Sequence, residues 1–349
     1  MKQSPLFHKF KKWGARFQEI QGWELPSDFG STETEWKAVR THVGTLDLSH
    51  RGKILVKGND RVAFLHSMLS NDIKNLSPGS CCYATILTPK GKIIADLNVF
   101  AFEDYHLLEL DEVHVEKIIK HLSSFIISED IEMKDVGSHY GILSLQGPDA
   151  EFFLKHLPQD NLNFRAFSND RTGDGGYDLW VTVENLEKLW DQIQTLEKIQ
   201  PIGLSALEVL RIEAGIPKFN QDLDENTIPN EARLDHAISW TKGCYPGQEI
   251  VARIKYRGGV QRILSGLMLK ENISPQRGDK VFKDSNIIGI VTSAIYSFYL
   301  NCPIALAYLR NTVITGSEVQ IHHQEKILIG KIQNIPFYPV RNELSQEKL

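Results

Sequence analysis

After Val260 the helical periodicity of this chain all but disappears. Up to that residue, apolar stripes at helical spacing alternate with strand-like runs. Beyond it, short strand-like runs recur between turn signals at Gly278-Asp279, Asp284 to Asn286, Gly316 and Gln324-Glu325. Such a pattern predicts an α+β fold with mixed or antiparallel sheets, followed by a small C-terminal β-barrel or sandwich. The 349 residues suffice for two or three domains. The element pattern divides them into regions 1–140, 141–259 and 260–349.

Within the first two regions the elements read as follows. Phe7, Phe10, Phe17 and Ile20 lie near one helical face, so the first twenty residues are expected to form the first helix of the domain. They lack the continuous apolar core of a secretory signal, and a transit peptide or membrane-surface helix is the less favoured reading. Glu33 to Val43 reads as a helix with Trp36, Val39 and Val43 inward and Gly44 as its C-cap. Gly52 to Lys57 reads as a strand, and Asp60 as the cap of a helix carrying Val62, Leu65 and Leu69. Strands are expected at Tyr83 to Leu87, Lys92 to Phe102 and Tyr105 to Leu110, and near Ile131 and Ile142. Helices are expected around Val115 to Leu122, Phe152 to Leu157 and Leu186 to Ile193, and from Leu204 to Ala214. The RTGDGG stretch from Arg171 reads as a turn entering a strand.

Charge and cysteine content exclude several classes. The formal net charge of −5 supplies no global basic field, so direct extended nucleic-acid binding is disfavoured. The longest apolar runs, such as Phe125 to Ile127 and Ile287 to Val291, are far too short to span a membrane. The four cysteines, Cys81, Cys82, Cys244 and Cys302, form no C-x-x-C, and a reducing cytoplasm is the default location. The twelve histidines show no metal-binding spacing. His322 and His323 would point to opposite faces of a strand.

The most informative stretch is Lys242 to Gly259, KGCYPGQEIVARIKYRGG. Cys244 lies between Lys242 and the basic run Arg253, Lys255 and Arg257, with Gly243 and Gly247 beside it. Pro246 suits the first position of a helix, and Glu249 its first turn. Cys244 would then sit just outside a helix N-terminus beside cationic groups, both of which favour a thiolate. Glu249 would oppose that if close. Most lone cysteines are small buried hydrophobes, but the glycines, the proline and the charges here argue against a simple core position.

Several stretches resemble the aminomethyltransferase T-protein of glycine cleavage: SPLFHKFKKWGARFQEIQGWELP, LDLSHRGKILVKG, NDIKNLSPG, LQGPDA, the RTG at Arg171, and LRIEAGIPKFNQDLDENTIPNEA from Leu210. The Cys244 stretch, with Lys242, Gly243, Tyr245, Gly247, Gln248, Glu249 and Arg253, instead resembles the signature of the YgfZ branch. Those are folate-binding proteins linked to tRNA modification and iron–sulfur cluster maintenance. The Arg51-Gly52 pair leans the same way, because T-proteins usually carry Met before that glycine.

The resemblance implies three domains around a central channel that holds tetrahydrofolate or a one-carbon derivative, with 1–140 as a folate-binding region. It implies iron–sulfur client enzymes as partners. It carries folate contacts onto Asp96, Tyr83, Asp178 and Arg211. Asp96 matches an acid near the reactive nitrogens, although T-proteins commonly have two adjacent acids where this chain has Ala95-Asp96. Tyr83 would line the channel, Asp178 would hold the pterin edge, and Arg211 would donate to a carboxylate or carbonyl. Each also has a plain reading: a polar residue on a wet strand face for Asp96, strand packing for Tyr83, a hairpin turn for Asp178, an ion pair with Glu208 for Arg211. The cationic run with Arg262 would suit folate's glutamate tail or an acidic partner.

Three functions follow as alternatives. The leading one is a folate-dependent accessory protein for iron–sulfur enzymes that uses Cys244. The second is an aminomethyltransferase moving a one-carbon unit from lipoyl-bound methylamine to tetrahydrofolate. The third is a non-catalytic interaction platform.

Overall fold

The computed structural model describes residues 1–157 and 162–339. They form two compact units: Met1–Ala84 with Ala95–Leu207, and Thr85–Ile94 with the described chain from Glu208 onward.

The first unit opens with β1 (Lys2–Gln3), α1 (Phe7–Lys12), β2 (Arg16–Ile20) and β3 (Trp23–Asp28); the strands form a small sheet in the order β1-β3-β2. The helix expected over the first twenty residues therefore ends early. Gly14, at φ +77°, turns the backbone in a way other residues resist, and Phe17 and Ile20 lie on a strand paired with β3. Next comes α2 (Thr32–Thr41), where Ser31 Oγ accepts from the Thr34 N–H at 3.3 Å as an N-cap. Val43 and Gly44 do not extend or cap this helix; they start β4 (Val43–Asp47). A Cβ on Gly44 would meet Val39 Cγ2 at 2.6 Å and Ile202 Cγ2 at 2.8 Å, so the glycine serves close helix–strand packing.

The chain continues through β5 (Gly52–Lys57), α3 (Arg61–Met68), β6 (Cys81–Leu87), β7 (Ile93–Ala101), β8 (Tyr105–Leu110), α4 (Val115–Ser123) and β9 (Glu132–Asp135). Asp60 precedes α3, but its Oδ2 accepts from the Asp130 N–H at 2.8 Å instead of capping the helix. Then follow β10 (Tyr140–Gln146), α5 (Ala150–His156), β11 (Arg165–Ser168), β12 (Gly176–Thr182), α6 (Val183–Gln194), β13 (Ile199–Pro201) and α7 (Leu204–Glu213). Two five-stranded sheets result, in the orders β6-β7-β8-β5-β9 and β11-β12-β10-β4-β13. The strand β4 pairs with β10 and β13. A boundary at residue 140 thus does not separate two independent sheets, because a strand from the N-terminal region completes the second one.

Helix α6 packs its apolar stripe, Leu186, Leu189, Trp190 and Ile193, into a core with Leu143, Leu145, Leu179 and Val181. Phe10 joins that core from α1, its ring edge-on to Trp190 at 5.0 Å between centroids.

The second unit contains α8 (Gln248–Arg257) and six strands: β14 (Arg262–Leu269), β15 (Lys280–Lys283), β16 (Asn286–Ser297), β17 (Cys302–Arg310), β18 (Glu318–His323) and β19 (Lys326–Gln333). They close into a barrel in the order β14-β17-β16-β15-β18-β19. Closure removes free strand edges, and alternation fills the interior: in β18, Val319 and Ile321 point in toward Leu267, Val281 and Leu328. His323 is buried and His322 is exposed against the Phe282 ring, as opposite strand faces require. Among the described residues no helix is long and apolar enough to cross a membrane.

Phe10 is 1 % exposed, so Phe10→Ala is expected to lower the unfolding free energy by about 3–5 kcal/mol. Denaturant titration checks this; a loss below about 1 kcal/mol would mean α1 is not part of the core.

Candidate functional site

The first unit carries a polar face built by simple alternation. Along β7, Ala95, Leu97 and Val99 turn into the core, while Asp96 and Asn98 stand half-buried on the other side. Ala95 is 2 % exposed and faces apolar packing, so no second polar group stands beside Asp96 at that position. From β6, the Tyr83 hydroxyl donates to Asp96 Oδ2 at 2.7 Å. Burial pushes the Asp96 carboxyl above the usual carboxylate range, and it pushes the Tyr83 hydroxyl up as well, helped by the Asp96 charge. Among the described residues no other residue donates to Asp96.

Across the same sheet, Asn98 lies opposite Glu109 of β8, and Glu109 lies opposite Lys53 of β5. Glu109 is fully buried and accepts from Asn98 Nδ2 at 2.7 Å, from Arg171 Nη2 at 3.2 Å and from Arg51 Nε. Burial opposes its ionisation, but Arg171 and then Arg51 outweigh burial and hold the carboxyl far below its ordinary range. Lys53, also fully buried, donates from Nζ to the carbonyls of Ser49 at 2.8 Å and Arg51 at 2.7 Å. Burial lowers its pKa to about 8.

Asp178, on β12, is fully buried, and its carboxylate is engaged on both oxygens. It accepts from Ser144 Oγ at 2.7 Å, from Asn169 Nδ2 at 2.8 Å, and from Arg171 through Nε at 3.1 Å and Nη2 at 2.6 Å. In this arrangement Asp178 holds Arg171, and Arg171 holds Glu109. Cys81 donates from Sγ to the Ser168 carbonyl at 3.0 Å, and burial pushes its thiol up to about 12. The sequence reading brought Tyr83 and Asp96 forward and missed Glu109 and Lys53. Their signal was a charged residue set among the apolar positions of a strand, in GKILVK and YHLLEL.

Arg211 belongs to the second unit. Its guanidinium bonds Glu208 through Nε at 2.8 Å, Asp222 through Nη1 at 2.8 Å and Ser293 Oγ through Nη2 at 3.0 Å. The ion pair with Glu208 exists, but the arginine is buried, so the pair is not a surface one.

The Cys244 segment also lies in the second unit. Helix α8 starts at Gln248, with Gly247 as N-cap at φ +83°. Pro246 thus precedes the helix by two positions; the left-handed turn at Gly247 intervenes. A Cβ on Gly247 would meet the Thr88 carbonyl oxygen at 2.6 Å and Gly91 Cα at 2.9 Å. Gly91, at φ +72°, in turn sits where a Cβ would meet Ile250 at 3.1 Å. Lys242 and Tyr245 are buried, the ammonium 4.9 Å from the ring centroid. Gly243 and Cys244 between them are exposed, and Cys244 makes no hydrogen bond with the described residues. The expected cationic neighbours are engaged elsewhere: Arg253 with Glu249 at 3.5 Å, Lys255 with Asp235 at 2.7 Å and over the Trp240 ring.

Gly247→Ala combines a left-handed φ with a backbone clash, and is expected to destabilise the protein by about 1–3 kcal/mol; an unchanged melting temperature would remove the close-approach argument. Lys53 gives a pH signature. Folded Lys53 loses its proton near 8 and an unperturbed lysine near 10.5, so between these values the unfolded chain binds more protons and stability rises with pH. The wild-type-minus-Lys53→Met difference in unfolding free energy should climb across that window; a flat difference would exclude a depressed lysine.

Residues 6–171 and 163–242 match the GCVT N-terminal domain family, and residues 262–339 match the glycine cleavage T-protein C-terminal barrel domain. The aminomethyltransferase of Geobacillus kaustophilus (strain HTA426) is 33% identical, over 97% of this chain and 99% of that protein. That of Thermotoga maritima is 31% identical, over 99% of this chain and 100% of that protein. The crystal structure of glycine cleavage system aminomethyltransferase T from Bartonella henselae superposes with a TM-score of 0.87 at 25% identity, covering 97% of this chain and 99% of that one. Fold and sequence agree over nearly the whole chain, and the chain belongs to the glycine cleavage T-protein family, with that family's fold and C-terminal six-stranded barrel.

Proposed function

We propose that this chain binds tetrahydrofolate or a one-carbon derivative through the Tyr83–Asp96 face and transfers a one-carbon unit, as an aminomethyltransferase. The observation that carries this reading is the full-length match to proteins named aminomethyltransferase, with both domains in order.

The residues on the first unit's polar face fit the task. Tetrahydrofolate, when bound, supplies the amine nitrogens that accept the one-carbon unit. Asp96 is half-buried and fixed on one oxygen by Tyr83, which leaves its carboxylate oriented. A carboxylate so placed accepts a hydrogen bond from an amine and stabilises positive charge on nitrogen better than water does. Tyr83 sets its direction. The Glu109–Arg171–Asp178 chain ties together the strands beside that face. The assay supplies carrier protein with lipoyl-bound methylamine plus tetrahydrofolate, and reads methylenetetrahydrofolate and ammonia. Asp96→Asn is expected to lose about 10²-fold in rate while still binding folate; a rate within about twofold of wild type would sink Asp96's role.

A second reading is a folate-loaded accessory protein that supports iron–sulfur assembly or repair in client enzymes, including tRNA-modifying ones. Its support is the exposed Cys244 in a segment that resembles the YgfZ branch, together with Ala95 in place of a second acid. No turnover in the transfer assay by a protein that binds folate, with Cys244→Ser losing client-enzyme activity, would favour it. A folded protein that binds no folate would favour the interaction platform.

A further inference from the structure

On the reading that this face binds folate, we propose that Arg51 is a further ligand-contacting residue, donating from its Nη1 and Nη2 groups to a carbonyl oxygen of the folate.

Four observations lead there. First, the Arg51 guanidinium uses only Nε within the protein, on Glu109; neither Nη has a partner among the described residues. Second, the side chain is 25% exposed while Glu109 is 0% exposed, so the anchored side faces the interior and the open side faces outward. Third, the backbone under it is fixed. The Arg51 N–H closes a turn onto the Leu48 carbonyl at 3.0 Å, and Lys53 Nζ grips the Ser49 and Arg51 carbonyls. A Cβ on Gly52 would meet Val115 Cγ2 at 2.3 Å, so the strand start lies tight against the segment beneath it. Fourth, the Arg51 charge acts on both members of the Tyr83–Asp96 pair, favouring the ionised form of each, while Glu109 acts in the opposite sense.

A guanidinium anchored through Nε, with its two Nη amino groups left beside a carboxylate–phenol pair, is a preorganised donor site. Asp96 can only accept from a ligand when ionised, and Arg51 can only donate. Together they recognise a group that presents an N–H next to a C=O. Tetrahydrofolate has that pairing in its pteridine ring, and a formyl group on the reactive nitrogen adds a second carbonyl.

Calorimetry of wild type, Arg51→Met and Arg51→Lys with tetrahydrofolate and with 5-formyltetrahydrofolate tests this, with melting temperatures recorded alongside. Arg51→Met is expected to bind about tenfold more weakly or worse. Arg51→Lys, which keeps a charge for Glu109 but not the fork, should recover only part of the affinity. A loss for both ligands places the acceptor on the ring; a loss confined to the formyl compound places it on the one-carbon group; either supports the contact. Unchanged affinity of Arg51→Met for both ligands overturns it and leaves the folate reading standing. No binding of either ligand by the folded wild type overturns both.

Discussion

A carboxylate that is entirely out of water must be compensated, and Glu109 is compensated by two arginines and an amide. Breaking such a buried pair is far more costly than never having had it, because an uncompensated charge remains. The arrangement therefore constrains its surroundings. Arg171 must bridge from Glu109 to Asp178, which joins β8 of one five-stranded sheet to β12 of the other. Arg51 must keep its Nε on Glu109. Asp178 must keep Ser144 and Asn169, and Gln146 closes the cluster by donating to Ser144 Oγ and accepting from the Arg171 N–H. Every carboxylate oxygen in this cluster has a donor, and the two sheets of the first unit are tied by charge as well as by apolar packing.

The Cys244 segment rests on a different constraint, close approach of backbone. Gly247 and Gly91 each occupy a left-handed φ, and each faces the other's chain with no room for a side chain. Lys242 and Tyr245 bury their side chains on either side of Gly243 and Cys244. The consequence is an accessible thiol on a segment whose flanks are held in place.

Much of this was legible in the sequence. The loss of helical periodicity after Val260 announced the barrel, since alternating strands between turn residues leave few other closed solutions. Gly52 to Lys57, Tyr105 to Leu110 and the α6 stripe were visible because their apolar spacing is strong and uninterrupted. The early end of α1 and the switch at Val43 were not. A helical stripe survives on paper when a glycine cuts it, and Phe17 and Ile20 satisfied the helical spacing while sitting on a strand. Of the candidate site, Tyr83 and Asp96 could be singled out together through family likeness, but not their hydrogen bond. Arg211 looked like a surface or ligand arginine; its burial depends on Asp222, in a turn 11 residues on, and on Ser293 of β16, 82 residues on.

By itself, the sequence determined most of the elements, the terminal barrel, the T-protein likeness and the unusual cysteine segment, because these depend on local spacing and on residue types in order. The tertiary structure decided which charges are buried, which donors reach Asp96 and Asp178, and which guanidinium keeps donors without a partner among the described residues. Those facts depend on residues such as Arg51, Glu109 and Arg171 meeting across strands. One-dimensional spacing cannot specify a partner that is 62 positions away, as Glu109 is from Arg171.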